Sequence, residues 1–238
     1  MREGGSVPGL MEADDDGLYV VKLRGAAQGM PALVAEVVAG ELARALGFRV
    51  PDLVAIRVDL ELARAEPDPE IQELVAASAG LNLGVDFLPG ALPFSPAARA
   101  AIDPELAAGI VWLDALTTNV DRSANNPNLL IWHRNTWLID HGAALFRQHG
   151  ERPLAETATE PFPMISKHLL LSVAGPVAGA DERLAAAARD AAPLAVDLVP
   201  SEWLGPDPEA RRADLKAFFA RRLEAPRGFV VEADDARR

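Results

Sequence analysis

Residues 119–128 are Asn-Val-Asp-Arg-Ser-Ala-Asn-Asn-Pro-Asn, and residues 137–142 are Trp-Leu-Ile-Asp-His-Gly. The two segments hold two carboxylates and four amides, and mostly apolar runs flank the first segment at residues 110–116 and 129–131. Polar groups among apolar neighbours are costly to bury unless they are hydrogen-bonded or bind a ligand. We therefore expect these side chains to converge on a common site.

The order of the polar residues indicates which chemistry such a site would carry. Asp121 is followed five positions later by Asn126, and Asp140 ends a later apolar run just before Gly142. In phosphoryl-transfer enzymes one carboxylate orients or deprotonates the attacking hydroxyl, while an amide and a second carboxylate hold magnesium against the phosphates. An Asp and an Asn at this spacing are common in loops, so the prediction depends on the whole pattern.

The pattern resembles that of the HipA-like kinases, which share their catalytic core with protein kinases and phosphoinositide kinases. The resemblance rests on Asn-x-Asp-Arg at 119–122, Asn-Pro-Asn at 126–128 and Ile-Asp-His-Gly at 139–142, and it spans most of residues 4–146. It implies an α+β, two-lobed protein-kinase-like fold. Residues 1–88 would form a small antiparallel-sheet N-lobe, and residues 89–238 a mainly helical C-lobe. It also implies ATP and Mg²⁺ as cofactors.

The resemblance gives roles to the residues of the central motif. Asp121 would orient or accept the proton of a substrate hydroxyl, and Arg122 would hold the loop or meet phosphate charge. Asn126 and Asp140 would bind Mg²⁺ through oxygen, the donor type that this hard cation prefers.

Three further polar residues are assigned to the architecture of the loop or its surroundings. Asn119 and Asn128 are expected to pin turns by bonding nearby backbone groups. Asp114 lies inside the helix predicted for residues 105–118, where it either orients the loop by hydrogen bonds or is a surface acid.

A hairpin and a helix near the N-terminus supply the other half of the predicted site. Residues 9–12 and 18–23 flank Asp-Asp-Asp-Gly, a hairpin-turn signal. Lys22 in the second strand is either an edge-strand charge or a phosphate ligand. Kinase-like folds pair a strand lysine with a glutamate on the next helix. Lys22 with Glu36 fits this order, Glu41 is the weaker candidate, and the alternative is that both glutamates lie on a solvated helix surface.

The remaining nucleotide contacts follow from the resemblance alone. They are the phosphate-covering loop residues Gly4, Gly5 and Ser6 and the hinge residues Val85, Asp86 and Phe87, whose backbone groups would meet the adenine. Only three residues precede the glycine-rich loop, so we expect either that the true start lies upstream or that the lid is incomplete and nucleotide binding weaker. The chain contains neither Gly-x-x-x-x-Gly-Lys nor Gly-x-Gly-x-x-Gly.

Periodicity and helix signals predict the other elements. They are a strand at 53–58, a strand running into a turn at 81–90, two short strands at 129–132 and 137–139, and helices at 31–46, 67–79, 105–118, 166–173, 180–192 and 208–223. Residues 143–165 are the least regular and match the substrate segment of kinases, and residues 232–238 are expected to be frayed.

Composition excludes several classes of protein. A net charge of -12 argues against a broad nucleic-acid or anionic-membrane surface. The absence of cysteine removes disulfides, thiolate catalysis and cysteine-rich zinc sites, and it favours a reducing cytoplasm. No run approaches the ~20 apolar residues that span a bilayer. The four histidines lack zinc-binding spacing, so His141 is expected to pack or cap rather than bind a metal.

Two other functions stay open at this point. A catalytically silent nucleotide-binding or partner-binding module would fit the short lid, but silent relatives usually lose at least one of Lys22, Asp121, Asn126 and Asp140. A magnesium-dependent phosphohydrolase would use Asp121 and Asp140 on a water and leave Lys22 and Glu36 unexplained. For a kinase, the acceptor is an unidentified hydroxyl on a protein Ser or Thr or on a small molecule, and the oligomeric state is not indicated.

Overall fold

A four-stranded sheet forms the N-terminal part of the computed structural model, which describes residues 9–26 and 28–238. Its strands are β1 (Gly9–Glu12), β2 (Leu18–Lys22), β3 (Leu53–Val58) and β4 (Gly80–Asp86). They follow the order β1-β2-β4-β3, and each neighbouring pair is antiparallel. Because β2 lies inside the sheet, the edge-strand explanation of Lys22 is wrong.

Two short helices cover the outer face of this sheet. They are α2 (Leu60–Ala65) and α3 (Pro69–Ala77), and they share a small core with Val21 and Val58 of the strands. Asp59 accepts a hydrogen bond from Glu61 N, and Asp68 accepts one from Glu70 N, so each helix has its own N-cap. The helix predicted for residues 67–79 corresponds to α3, whereas α2 was not predicted.

Helix α1 (Gly29–Ala45) joins the sheet to the rest of the molecule. Its buried apolar residues include Leu33, Val37 and Leu42, and they belong to the same core as the helices that follow the sheet. The helix packs against α5 (Val177–Asp197). Helix α1 precedes residue 88 in the sequence but shares its core with later helices. The domain boundary predicted at residue 88 stays a prediction.

The remainder of the described chain is mainly helical. Beyond β4 the strands and long helices are β5 (Leu92–Pro93), α4 (Pro104–Leu116), β6 (Leu129–Trp132), β7 (Asn135–Leu138), α5, α6 (Pro208–Arg222) and α7 (Gly228–Arg237). Strands β5, β6 and β7 form a second antiparallel sheet in that order. Short 3-10 helices lie at Pro96–Ala101, Phe146–His149, Leu154–Thr157, Pro163–Lys167 and Ser201–Trp203.

Two predictions for the C-terminal part are wrong. Residues 166–173 do not form a helix, because Pro163–Lys167 is a 3-10 helix followed by turns. Residues 232–237 are not frayed but belong to α7, which distant contacts hold in place. Asp234 accepts hydrogen bonds from the amides of Val177 and Ala178 at the start of α5, and Glu232 accepts one from Phe162 N at 2.6 Å.

The molecule is thus a mixed α+β fold with a small antiparallel sheet and a mainly helical remainder, as predicted. Within residues 9–26 and 28–238, none of the helices has the length and apolar character needed to cross a membrane.

Candidate active site

Helix α4 delivers the central loop to the site. Asp103 caps its first turn by accepting hydrogen bonds from Glu105 N at 2.9 Å and Leu106 N at 3.0 Å, and the helix is buried from residue 107 to its end. Thr118 then adopts a positive φ of 51°, and Asn119 N donates to the Asp114 carbonyl at 2.8 Å. The chain therefore leaves the helix in a sharp turn directly before Asp121.

Asp114 is fully buried and holds this loop by hydrogen bonds to its side chains. Its carboxylate accepts hydrogen bonds from Arg122 Nε at 2.5 Å, His168 Nε2 at 2.9 Å and Asn119 Nδ2 at 3.0 Å. Burial alone would raise the pKa of Asp114, but Arg122 and His168 outweigh burial and hold the pKa well below its usual range. The structure therefore favours loop orientation over a surface acid for Asp114.

Arg122 is part of the same buried network. Only 1% of its surface is exposed, and Nη1 also donates to the Asn128 carbonyl. Of the two roles that the sequence left open, the structure supports holding the loop. The predicted contact with phosphate is corrected, because the guanidinium is enclosed by protein.

Asp121 is half-buried, in contrast to the buried Arg122 that follows it. Its Oδ2 accepts a hydrogen bond from Asn126 Nδ2 at 2.7 Å, and Asn128 Nδ2 lies 3.4 Å from the same oxygen. Burial raises the pKa of Asp121, the negative charge of Asp140 adds to this effect, and the amide hydrogen bonds only partly offset it. The loop therefore holds a carboxylate whose orientation is set by two amides.

The β6–β7 hairpin carries Asp140 to the same place. Ile139 N donates to the Asn128 carbonyl at 3.1 Å, which closes the hairpin above the loop, and Asp140 follows with a φ of 55°. Asn128 Nδ2 lies 3.4 Å from the Asp140 carbonyl as well as from Asp121 Oδ2. One amide thus lies between the Asp121 carboxylate and the backbone carbonyl of Asp140.

Lys22 meets both Glu36 and Asp140. Its Nζ lies 2.7 Å from Glu36 Oε2 and 2.6 Å from Asp140 Oδ1. Glu36 is 1% exposed, so the explanation of a solvated helix surface is wrong. Glu41, the weaker candidate, pairs instead with Arg44 at 3.2 Å.

The charges of this trio stabilise one another. Burial would lower the pKa of Lys22, but the two carboxylates outweigh burial and raise it. Burial would likewise raise the pKa of Glu36, but Lys22 and His141 lower it to about 2. Lys22 and Glu36 therefore both carry charge at neutral pH.

His141 fills the space between the hairpin and α1. It is 1% exposed, its Nδ1 lies 3.8 Å from Glu36 Oε1, and neither ring nitrogen has a hydrogen-bond partner within the described part of the chain. A Cβ on Gly40 would come within 3.8 Å of His141 Nδ1, and one on Gly142 within 3.4 Å of Glu36 Oε2. The position supports packing for His141.

An apolar surface lies on the same face of the sheet as Lys22. Side chains alternate along a strand, so Leu18, Val20 and Lys22 share one face, and Leu10 pairs with Val20. Leu10 is 56% exposed and Leu18 is 43% exposed. The assignment of site residues from the sequence omitted both leucines, although the period-two pattern of residues 18, 20 and 22 already placed Leu18 on the face of Lys22.

Two amides of the predicted hinge already have partners within the protein. Asp86 N already donates to the Asp52 carbonyl at 2.8 Å, and Phe87 N donates to the Leu18 carbonyl at 2.9 Å. Val85 lies within β4 between its two neighbouring strands. The amides of Asp86 and Phe87 are therefore not free to bind an adenine. The Asp86 side chain shares the outer face with Tyr19 and points away from Lys22.

Cavity size does not identify the site. The cavity that Lys22 and Asp140 line measures about 30 Å³, whereas hollows of about 790, 800 and 750 Å³ lie on the outer sheet face, beside α7 and around residues 146–152. The chemistry of the side chains identifies it instead. Gly4, Gly5 and Ser6 lie outside the described residues.

The metal prediction rests on two residues. Among residues 9–26 and 28–238, no group of three or more His, Cys, Asp or Glu side chains is arranged to hold a metal ion. Asn126 and Asp140 supply an amide and a carboxylate oxygen. Mg²⁺ commonly binds one or two carboxylates and completes its shell with water and substrate phosphates, so this donor set fits it.

A lysine on a sheet strand, paired with a glutamate on the next helix and set above a carboxylate loop, defines a protein-kinase-like molecule. Comparison of structures agrees, since the fold aligns with the crystal structure of the Helicobacter pylori proinflammatory kinase CtkA with a TM-score of 0.58 and 12% sequence identity. The alignment covers 98% of this chain and 93% of that chain.

Residues 1–224 match the family model described as HipA-like kinase, and the chain therefore belongs to the HipA-like kinase family. Among curated proteins, the comparison found no match. The predicted family and the α+β kinase-like fold are both confirmed.

Proposed function

We propose that this protein transfers the terminal phosphate of ATP, in the presence of Mg²⁺, to a hydroxyl group of an acceptor. The contact of Lys22 with both Glu36 and Asp140 carries the proposal. Kinases need the lysine–glutamate pair and the metal-binding aspartate in place at the same time. Here the three side chains meet at one point.

The phosphates are assigned to Lys22 and to a metal held by Asn126 and Asp140. Asp140 Oδ1 accepts from Lys22, so Oδ2 remains for a cation, and 42% of the Asp140 side chain is exposed. Asn126 donates a hydrogen bond from Nδ2 to Asp121, so its Oδ1 likewise remains for the cation. When bound, Mg²⁺ would neutralise phosphate charge and orient the terminal phosphate.

Asp121 is assigned to the acceptor hydroxyl. Asn126 Nδ2 fixes the direction of its carboxylate at 2.7 Å. A positioned carboxylate accepts or orients the hydroxyl proton as the oxygen attacks the terminal phosphate. Both protein Ser or Thr and small-molecule acceptors fit this assignment, and the cytoplasmic location stays a prediction.

The adenine is assigned to the apolar surface formed by Leu10, Leu18 and Val20. Exposed leucines gain free energy when a flat aromatic ring removes them from water. The surface lies on the face that also carries Lys22, so one nucleotide can touch both.

Thermal unfolding with ATP tests the proposal. A ligand that binds only the folded state at about 100 times its Kd stabilises that state by about 2.7 kcal/mol, which raises Tm by about 5–10 °C in a chain of this size. We expect this shift in the parent protein with ATP and Mg²⁺. We expect it to disappear in Asp140→Ala and to persist in Asp190→Ala, which alters an exposed aspartate on α5.

The outcomes separate the candidate functions. Equal shifts in the parent and in Asp140→Ala would refute the metal assignment. Absence of a shift in the parent would favour a partner-binding module without nucleotide. A rise in Tm together with release of free phosphate that added hydroxyl compounds do not reduce would favour the phosphohydrolase.

A further inference from the structure

Three buried polar residues form a network that phosphoryl transfer itself does not use. Asp114, Arg122 and His168 are 0%, 1% and 8% exposed. His168 lies beyond the irregular part of the chain at residues 143–167, which we call the acceptor segment. The network therefore connects the end of that segment to the loop that carries Asp121.

The hydrogen bonds of His168 indicate which of its ring nitrogens donates and which accepts. Leu170 N donates to His168 Nδ1 at 3.1 Å, so Nδ1 acts as an acceptor. Nε2 then carries a proton, lies 2.9 Å from Asp114 Oδ2 and donates to it. The imidazole is fixed in one orientation by bonds at both nitrogens.

Arg122 belongs to this network through both its side chain and its backbone. Its Nε donates to Asp114 Oδ2 at 2.5 Å, the same oxygen that His168 contacts. Its carbonyl accepts from Leu169 N at 3.0 Å, and a β-bridge joins Ser123 to His168. The backbone on the C-terminal side of Asp121 is therefore bonded to the residues that directly follow the acceptor segment.

We propose that Asp114 and His168 are positioning residues that hold Asp121 in the geometry for proton acceptance and connect it to the acceptor segment. The inference rests on the proposed kinase function. Displacements of about 1 Å at a reacting group can slow a reaction by about 10²-fold. The network therefore acts on turnover, whereas the nucleotide contacts at Lys22 and Asp140 lie outside it.

The test compares three histidine variants by steady-state ADP release from ATP and Mg²⁺, with water as the acceptor. His168→Leu removes the bond to Asp114, and His168→Gln keeps an amide donor at similar reach. His133→Asn is the matched control, because His133 is an exposed histidine in the turn between β6 and β7, outside the acceptor segment. We expect kcat to fall by about 10- to 100-fold in His168→Leu, with the KM for ATP unchanged within about twofold.

Conservative rescue separates positioning from general destabilisation. We expect His168→Gln to regain most of the lost kcat and the control to match the parent. Calorimetric titration should give the same number of ATP sites per chain in every variant, which a partly unfolded sample would not. Asp114→Asn is a second variant, with the same expected loss of kcat where it folds.

Either of two results would overturn the proposal. One is a kcat in His168→Leu equal to that of the parent, and the other is an equal loss in His168→Gln and His168→Leu. A parent protein that releases no ADP would refute the proposed function itself, and the positioning role with it. The two failures are therefore distinguishable.

Discussion

Lys22 Nζ and Asp140 Oδ1 lie 2.6 Å apart, although 118 positions separate the two residues in the sequence. The contact joins the sheet to the residue that follows the β6–β7 hairpin, and Glu36 on α1 completes it at 2.7 Å. Since α1 shares its core with the later helices, the pair is assembled by the packing of the whole molecule. Predictions about function can therefore be tested through both stability and turnover.

Removing the lysine should cost both stability and activity. Lys22→Met leaves Glu36 buried without its partner, so we expect the free energy of unfolding to fall by about 3 kcal/mol. The double variant Lys22→Met/Glu36→Gln should be more stable than the sum of the single changes predicts, by about 0.5–3 kcal/mol. Urea unfolding of the parent, the two single variants and the double variant measures this coupling.

Glu41→Gln is the matched control for that cycle. Glu41 contacts Arg44 on the surface, and such pairs contribute about 0–1 kcal/mol. Additive losses in Lys22→Met and Glu36→Gln would show that the two residues do not interact in solution.

Glu36 should make stability depend on acid pH. Its pKa is lowered from 4.5 to about 2 in the folded state, so the unfolded chain takes up the proton first as the pH falls. Its contribution of about 3 kcal/mol is complete above about pH 4.5 and is lost as the pH approaches 2. The difference in unfolding free energy between the parent and Glu36→Gln should therefore shrink between pH 5 and pH 2. Parallel curves over this range would show that the carboxylate is not stabilised by folding.

Asp121→Asn should separate chemistry from binding. The amide cannot accept the hydroxyl proton, so we expect kcat to fall by about 10²- to 10⁴-fold, while stabilisation by ATP and Mg²⁺ stays as in the parent. Because the pKa of Asp121 is raised, the acid limb of kcat/KM should lie above the ordinary aspartate value of 3.8. Turnover equal to the parent would remove Asp121 from the mechanism.

The apolar surface of the sheet should contribute to nucleotide affinity. Leu18→Asn removes an exposed leucine from the face of Lys22, and we expect the Kd of ATP to rise about 5- to 10-fold. Stability should change by no more than about 0.5 kcal/mol, as is usual for exposed positions. Leu194→Asn, an exposed leucine on α5, should leave the Kd unchanged. Equal effects of the two substitutions would exclude this surface as the adenine site.

The sequence predicted the residues that meet at the site better than it predicted their surroundings. Spacing and order were enough for Lys22, Glu36 and Asp140, because each lies at the end of or within a strongly patterned element. Asp114 stayed ambiguous because α4 is buried on nearly all sides, so helical periodicity does not distinguish its inner and outer faces.

Other features depend on long-range contacts that periodicity does not report. His168 reaches Asp114 across 54 positions, and α7 is held by bonds from Asp234 to the start of α5. The amides of Asp86 and Phe87 are occupied by Asp52 and Leu18, which only the strand register reveals. For this reason the pairing of these amides and the order of the last residues could not be predicted.

The most direct test of the proposed phosphoryl transfer is the rate of ADP formation from ATP, measured with Mg²⁺ and again after chelation. We expect turnover by the parent and by Asp190→Ala only when Mg²⁺ is present, and a rate at least about 10²-fold lower in Asp140→Ala. A parent that forms no ADP, or an Asp140→Ala variant as fast as the parent, would show that the residues gathered around Lys22 do not transfer phosphate.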